Sequence, residues 1–136
     1  MRLKHPEGTC YATSGSVCFD FIANIEKPIT LSTKTYLTIP TGCFIESVEN
    51  NEVLQVMSRS GLASIHCIFV ANVPEIIDKD FTDEIKVMLI NFGPDFIINP
   101  GNRIAQGMVV NILLVENILV KQTTRVGGLG STGGTN

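Results

Sequence analysis

No stretch of this sequence gathers its basic residues: 10 Lys and Arg stand scattered against 13 Asp and Glu, for a formal net charge of −3. Without a basic stripe to neutralise a run of phosphates, duplex nucleic acid is excluded as a partner. The four cysteines, Cys10, Cys18, Cys43 and Cys67, form no C-x-x-C pair, have no His at zinc-finger spacing and follow no secretory segment. They are expected to be reduced, mostly buried thiols in a cytosol. There is also no apolar run of membrane length, because the most apolar stretch, Gly107 to Val120, is broken by Asn111, Glu116 and Asn117. A soluble chain with no membrane partner is expected. His5 and His66 have no Ser or Cys nucleophile pattern beside them and read as surface or satisfied strand histidines.

Helix signals are nearly absent as well. What is present is a 44% hydrophobic content over 136 residues, enough for one domain with its own core. The apolar residues come in short β-branched runs separated by Gly, Pro, Asn and Asp, which predicts an all-β domain. The expected strands are Val17 to Ile22, Ile29 to Ile39, Val53 to Met57, Ile65 to Ala71, Ile85 to Ile90, Phe96 to Ile98 and Met108 to Val115. Turns are expected at Pro40-Thr41-Gly42, Phe92-Gly93-Pro94 and Pro100-Gly101-Asn102. Several strands, Met108 to Val115 above all, are apolar on both faces, which a small sandwich wetted outside does not need. A subunit interface explains this, although periodicity does not choose between a trimer and a dimer. The body is expected to span 1–124, with a mobile Gly-rich arm over 125–136 whose small side chains give little anchorage.

Against this background, Arg59-Ser60-Gly61-Leu62 resembles the second motif of the trimeric dUTPases. It is followed at that family's spacing by Asn72 and by Ile76-Ile77-Asp78-Lys79-Asp80-Phe81, similar to the third motif. Gly101-Asn102-Arg103-Ile104-Ala105-Gln106 is similar to the fourth, Gly130-Ser131-Thr132-Gly133 to the fifth and Val17-Cys18-Phe19-Asp20-Phe21 to the first. The resemblance runs from about Val17 to Gly133, with the motifs in order. It implies a dUTPase-like β-barrel or jelly-roll fold, a homotrimer with active sites at subunit boundaries, and Mg²⁺-assisted hydrolysis of dUTP to dUMP and pyrophosphate. That reaction keeps uracil out of DNA. Cytoplasmic placement follows, or the host cytoplasm or nucleus for a viral source.

Cleavage between the α and β phosphates needs a water aimed in line at phosphorus, a base beside it, and positive charge around the phosphates. By the resemblance, Asp78 orients and deprotonates the water, while Mg²⁺ held through the triphosphate oxygens neutralises charge, with Asp20 supporting the ion through water. Arg59, Ser60, Gly61 and Gln106 supply the phosphate clamp. Asn72 and main-chain groups of the hairpin down to Ile77 read the uracil edge, and the Phe81 ring excludes a 2′-hydroxyl by packing under the sugar. Ser131, Thr132 and Gly130 close over the γ-phosphate with Arg125, and Leu129 stands where the family stacks an aromatic residue on the base.

Each feature also has a plainer reading. Asp78 to Glu84 is a charged turn between strands, Arg59 an ion-pair partner, Gln106 a cross-strand hydrogen bonder, and the tail filler. Two further possibilities remain open: a catalytically weakened homologue acting as a nucleotide-binding or regulatory protein, and a deoxycytidine triphosphate deaminase, whose Glu-bearing pattern is not found here.

Overall fold

The computed structural model describes residues 1–49 and 51–119. The expected arm, with Arg125, Leu129, Gly130, Ser131 and Thr132, and the expected boundary at 124 lie outside the described residues.

Among the described residues the chain is all-β apart from one short helix. A five-stranded sheet has the order β2 (Cys10–Tyr11), β3 (Phe19–Ile22), β11 (Arg103–Asn111), β6 (Glu52–Met57), β8 (Glu75–Ile77). A four-stranded sheet runs β1 (Arg2–Lys4), β5 (Tyr36–Ser47), β9 (Ile85–Asn91), β7 (Ile68–Val70), and β4 (Ile29–Leu31) pairs with β10 (Phe96–Ile98). All recorded pairings are antiparallel. Both larger sheets feed one core: Phe21, Leu54, Val56, Ile77 and Ala105 from the first, Ile39, Ile68, Val70, Ile85, Val87 and Leu89 from the second. In β9 the alternation is complete, with Ile85, Val87, Leu89 and Asn91 buried and the residues between them turned outward, as a two-residue side-chain period requires. Asn91 is the polar member of that row. Its amide donates to Leu31 O at 2.9 Å and Pro94 O at 2.8 Å and accepts from Gly93 N at 2.8 Å, so it joins β4, β9 and the following loop.

Several expectations are corrected. The run Ile29 to Ile39 is two strands, not one, because Lys34 takes a left-handed φ of 58° and sends β4 and β5 into different sheets. Pro40-Thr41-Gly42 is no chain-reversing turn but an irregularity inside β5, where the register with β9 slips between Pro40 and Cys43. Gly42 permits it with a φ of 69°, and a Cβ there would sit 2.9 Å from Asn24 Nδ2. Strand β11 ends at Asn111, short of the expected Val115.

The expected strand Ile65 to Ala71 begins as a helix, α1 (Ser60–His66), and only Ile68–Val70 is strand. Seven residues make under two turns and none is buried, so no apolar stripe at helical spacing marks the segment. Cys67 ends it in the left-handed conformation, its N–H returned to Leu62 O. His66 is therefore a helix-end residue, its ring centroid 4.7 Å from that of Phe96. The thiols also differ from expectation: all four are free, but only Cys43 is buried in the chain, while Cys10 and Cys67 are exposed. No helix among the described residues is long and apolar enough to cross a membrane.

Candidate active site

The five-stranded sheet sets three motif segments side by side. Gln106 on β11 pairs in register with Asp20 on β3 on one side and with Met57 on β6 on the other, and the chain leaves β6 directly into Ser58-Arg59-Ser60. The Gln106 amide donates to Ser58 O at 3.0 Å. Ser58 Oγ in turn accepts from Val70 N at 2.9 Å, tying the segment to β7.

Asp20 is 7% exposed, and a carboxylate so placed needs a cation to offset its lost hydration. Arg59 supplies it, with Nε donating to Oδ1 at 2.7 Å, and Arg103 Nη1 stands 3.4 Å from Oδ2. Arg59 caps the start of α1 in extended conformation with no side-chain capping bond. Its guanidinium reaches across to Asp20 and to Arg103 O at 3.3 Å instead. Asp20, Arg59, Ser60 and Gln106, four of the residues singled out from the sequence, line a solvent-open cavity of about 330 Å³ together with residues of the Ala12–Cys18 segment. The planar cation of Arg59 beside neutral amide and hydroxyl donors suits phosphate oxygens. Gly61 lies one residue further along the helix, with open space where a Cβ would project.

Among the described residues, Asn72, Ile77, Asp78 and Phe81 do not line that cavity. Asn72 is exposed in the turn joining β7 to β8, Ile77 is buried at the end of β8, and Asp78 is exposed just beyond it. Phe81 is 8% exposed, its N–H donating to Asp78 O at 3.1 Å. Among the described residues no group of three His, Cys, Asp or Glu side chains could hold a metal by itself.

Sequence reasoning missed one contributor. Arg103 belongs to the fourth motif, yet only the strand register reveals that it shares Asp20 with Arg59. Glu75, which the sequence places in the hairpin with both an outward course and an effect on the base pocket open to it, is buried, its side chain 5% exposed with Oε2 unpartnered. Burial pushes its carboxyl above the usual carboxylate range, partly opposed by a hydrogen bond from Asn72.

Comparison with known proteins places the chain in a family. A dUTPase family model matches residues 6–133. The chain is 48% identical over 128 residues to the deoxyuridine 5'-triphosphate nucleotidohydrolase of Rickettsia rickettsii strain Sheila Smith, covering 90% of this chain and 86% of that one. The Rickettsia prowazekii protein of the same name is 45% identical over the same shares. Among solved structures, the Streptococcus mutans dUTPase superposes with a TM-score of 0.76 at 18% identity, covering 86% of this chain and all of that one. A Staphylococcus aureus phage phi11 dUTPase, described with a structural Mg(II) ion, superposes with a TM-score of 0.72 at 16% identity, covering 89% of this chain and 96% of that one. The fold is thus the dUTPase jelly roll, and the chain belongs to the dUTPase family.

Proposed function

We propose that this chain hydrolyses dUTP to dUMP and pyrophosphate by in-line attack of water on the α-phosphorus, in a homotrimer whose active sites lie between subunits. Family membership supports the reaction, since the curated relatives are dUTP nucleotidohydrolases. The observation that carries the reading is the cavity between β3, β11 and α1. Residues of the first, second and fourth motifs meet there, and those of the third do not. A second copy placing Asp78, Asn72 and Phe81 against that cavity completes a site that one chain leaves divided.

The segment after β11 supports the assembly. Leu113, Leu114, Val115, Ile118 and Leu119 are 68–97% exposed, a row of apolar side chains that a neighbouring subunit would cover.

In this reading Arg59, Ser60 and Gln106 hold phosphate oxygens, and Asp20 keeps the Arg59 guanidinium in its plane. Asp78 holds and deprotonates the attacking water. Asn72 and the hairpin backbone read the base, Phe81 packs beneath the sugar, and Arg125, Leu129, Gly130, Ser131 and Thr132 of the arm close over base and phosphates. The residues present fit a Mg²⁺ bound mainly by triphosphate oxygens. Both Asp20 oxygens already face arginines, which leaves that carboxylate a role through water. Bound there, the ion would neutralise charge on the phosphates.

Asp78→Asn tests the mechanism: pyrophosphate release should fall at least about a hundredfold, as expected for loss of a general base, with the trimer intact by light scattering. Undiminished turnover would remove Asp78 from the mechanism.

A further inference from the structure

Asp20 has more cation around it than its own charge requires. The carboxylate is buried, and Arg59 alone matches it through Nε to Oδ1 at 2.7 Å. Taken together that pair is neutral, which is a difficulty for a phosphate clamp. Both residues line the same cavity, so a triphosphate that approaches Arg59 also approaches the Asp20 charge. A carboxylate at similar distance repels phosphate oxygens about as strongly as the guanidinium attracts them.

Arg103 changes that balance. Its Nη1 stands 3.4 Å from Oδ2, the other oxygen of the Asp20 carboxylate. Arg103 does not line the phosphate cavity. It lines a neighbouring cavity of about 260 Å³ with Leu62, Phe96 and Ile104, and Arg59 borders both. The main-chain oxygen of Arg103 accepts from Arg59 Nη1 at 3.3 Å. The backbone of β11 thus holds Arg59 while the side chain of the same residue holds the acid. Beside Asp20 in the sheet stand Gln106 of β11 and Cys10 of β2, and among the described residues Arg59 and Arg103 are the cations paired with it. Two guanidinium groups on one carboxylate leave the group net positive.

We propose that Arg103 is a positioning residue that acts on nucleotide binding through Asp20: it offsets the carboxylate from outside the cavity and so leaves the charge of Arg59 to the phosphates. The inference rests on the reading of this cavity as the phosphate clamp. The Arg103 side chain is 53% exposed, so water screens it and its effect is modest.

The test is a double-mutant cycle on binding, read by calorimetry with Mg²⁺ and the unreactive α,β-imido analogue of dUTP. Arg103→Gln should weaken binding of the analogue about fivefold, the upper end for a half-exposed charge. In an Asp20→Asn chain there is no carboxylate to offset, and the same change should alter affinity by less than about twofold. Arg103 meets Asp20 through a single contact and not a bidentate one, so Arg103→Lys keeps the charge and should stay within about twofold of wild type. An equal loss in both chains means that Arg103 pulls directly on the phosphates or only braces the sheet, and it overturns the inference. So does an Arg103→Gln affinity within about twofold of wild type. If the wild type binds the analogue but does not turn dUTP over, the hydrolysis reading fails while the cycle still decides the role of Arg103. If the wild type does not bind the analogue, the clamp reading falls and the inference with it.

Discussion

Replacing Asp20 by Ala strikes the centre of the proposed phosphate clamp, and its cost follows from the geometry. The carboxylate side chain is 10% exposed and that of Arg59 23% exposed, so the variant leaves a largely buried guanidinium without its counter-charge. Breaking a fully buried pair in this way costs about 3–5 kcal/mol. Water reaching the exposed part of Arg59, and its remaining bond to Arg103 O, reduce that to roughly 2–3 kcal/mol. The contact to Arg103, whose side chain is 53% exposed, adds at most about 1 kcal/mol. Urea denaturation at fixed protein concentration should therefore show a loss of about 2–4 kcal/mol. Freed from Asp20, the Arg59 side chain no longer rests in the plane of the cavity wall, and KM for dUTP should rise about tenfold. Asp20→Asn keeps an acceptor for Arg59 Nε and should show both effects at a smaller size. Asp20→Ala within about 0.5 kcal/mol of wild type, with KM unaltered, would refute the reasoning.

Three further outcomes are expected. Asn91→Ala removes three hydrogen bonds to buried or half-buried backbone groups and should cost about 2–4 kcal/mol in denaturant melts, at the usual net worth of about 1 kcal/mol each. Gly107→Ala puts a Cβ 2.7 Å from Phe21 and 2.9 Å from Phe19 ring carbons; overpacking of this kind should cost about 1–3 kcal/mol and is checked by the same melts. For Glu75 the folded chain favours the protonated form. The stability this confers is complete below the ordinary carboxylate range near 4.5 and is lost as pH rises through the raised folded value. Glu75→Gln should flatten the stability profile across that window and be the more stable protein above it, and parallel profiles for the two proteins would contradict the assignment.

The sequence speaks plainly where one physical rule governs a segment. In β9 the apolar β-branched run Ile85-Lys86-Val87-Met88-Leu89-Ile90 announces a strand, although Met88 and Ile90 are as apolar as the buried Ile85, Val87 and Leu89 and leave the core face to the structure. The motif residues lie in short strings whose order survives in the chain, which is why Asp20, Arg59, Ser60 and Gln106 are legible as a group before any geometry is known. What local pattern does not carry is set by tertiary partners. Lys34 splits a β-branched run because the backbone on either side bonds to Asn91, Lys34 N to its O at 2.7 Å and Asn91 N to Thr35 O at 3.0 Å. Helix α1 leaves no amphipathic signal, since only Leu62 among its residues packs on the core. The shared use of Asp20 by two arginines depends on a register between β3 and β11, 83 residues apart in sequence for Asp20 and Arg103. The inward Glu75 runs against every composition rule, and residues that break such rules are often the ones tied to function.

The most direct test is to incubate the purified chain with Mg²⁺ and, separately, dUTP, dTTP, dCTP and UTP, measuring pyrophosphate together with the nucleoside monophosphate. Equimolar pyrophosphate and dUMP from dUTP, with little release from the other three, is the predicted result. No pyrophosphate from dUTP would contradict the central claim and leave a nucleotide-binding member of the dUTPase family in its place.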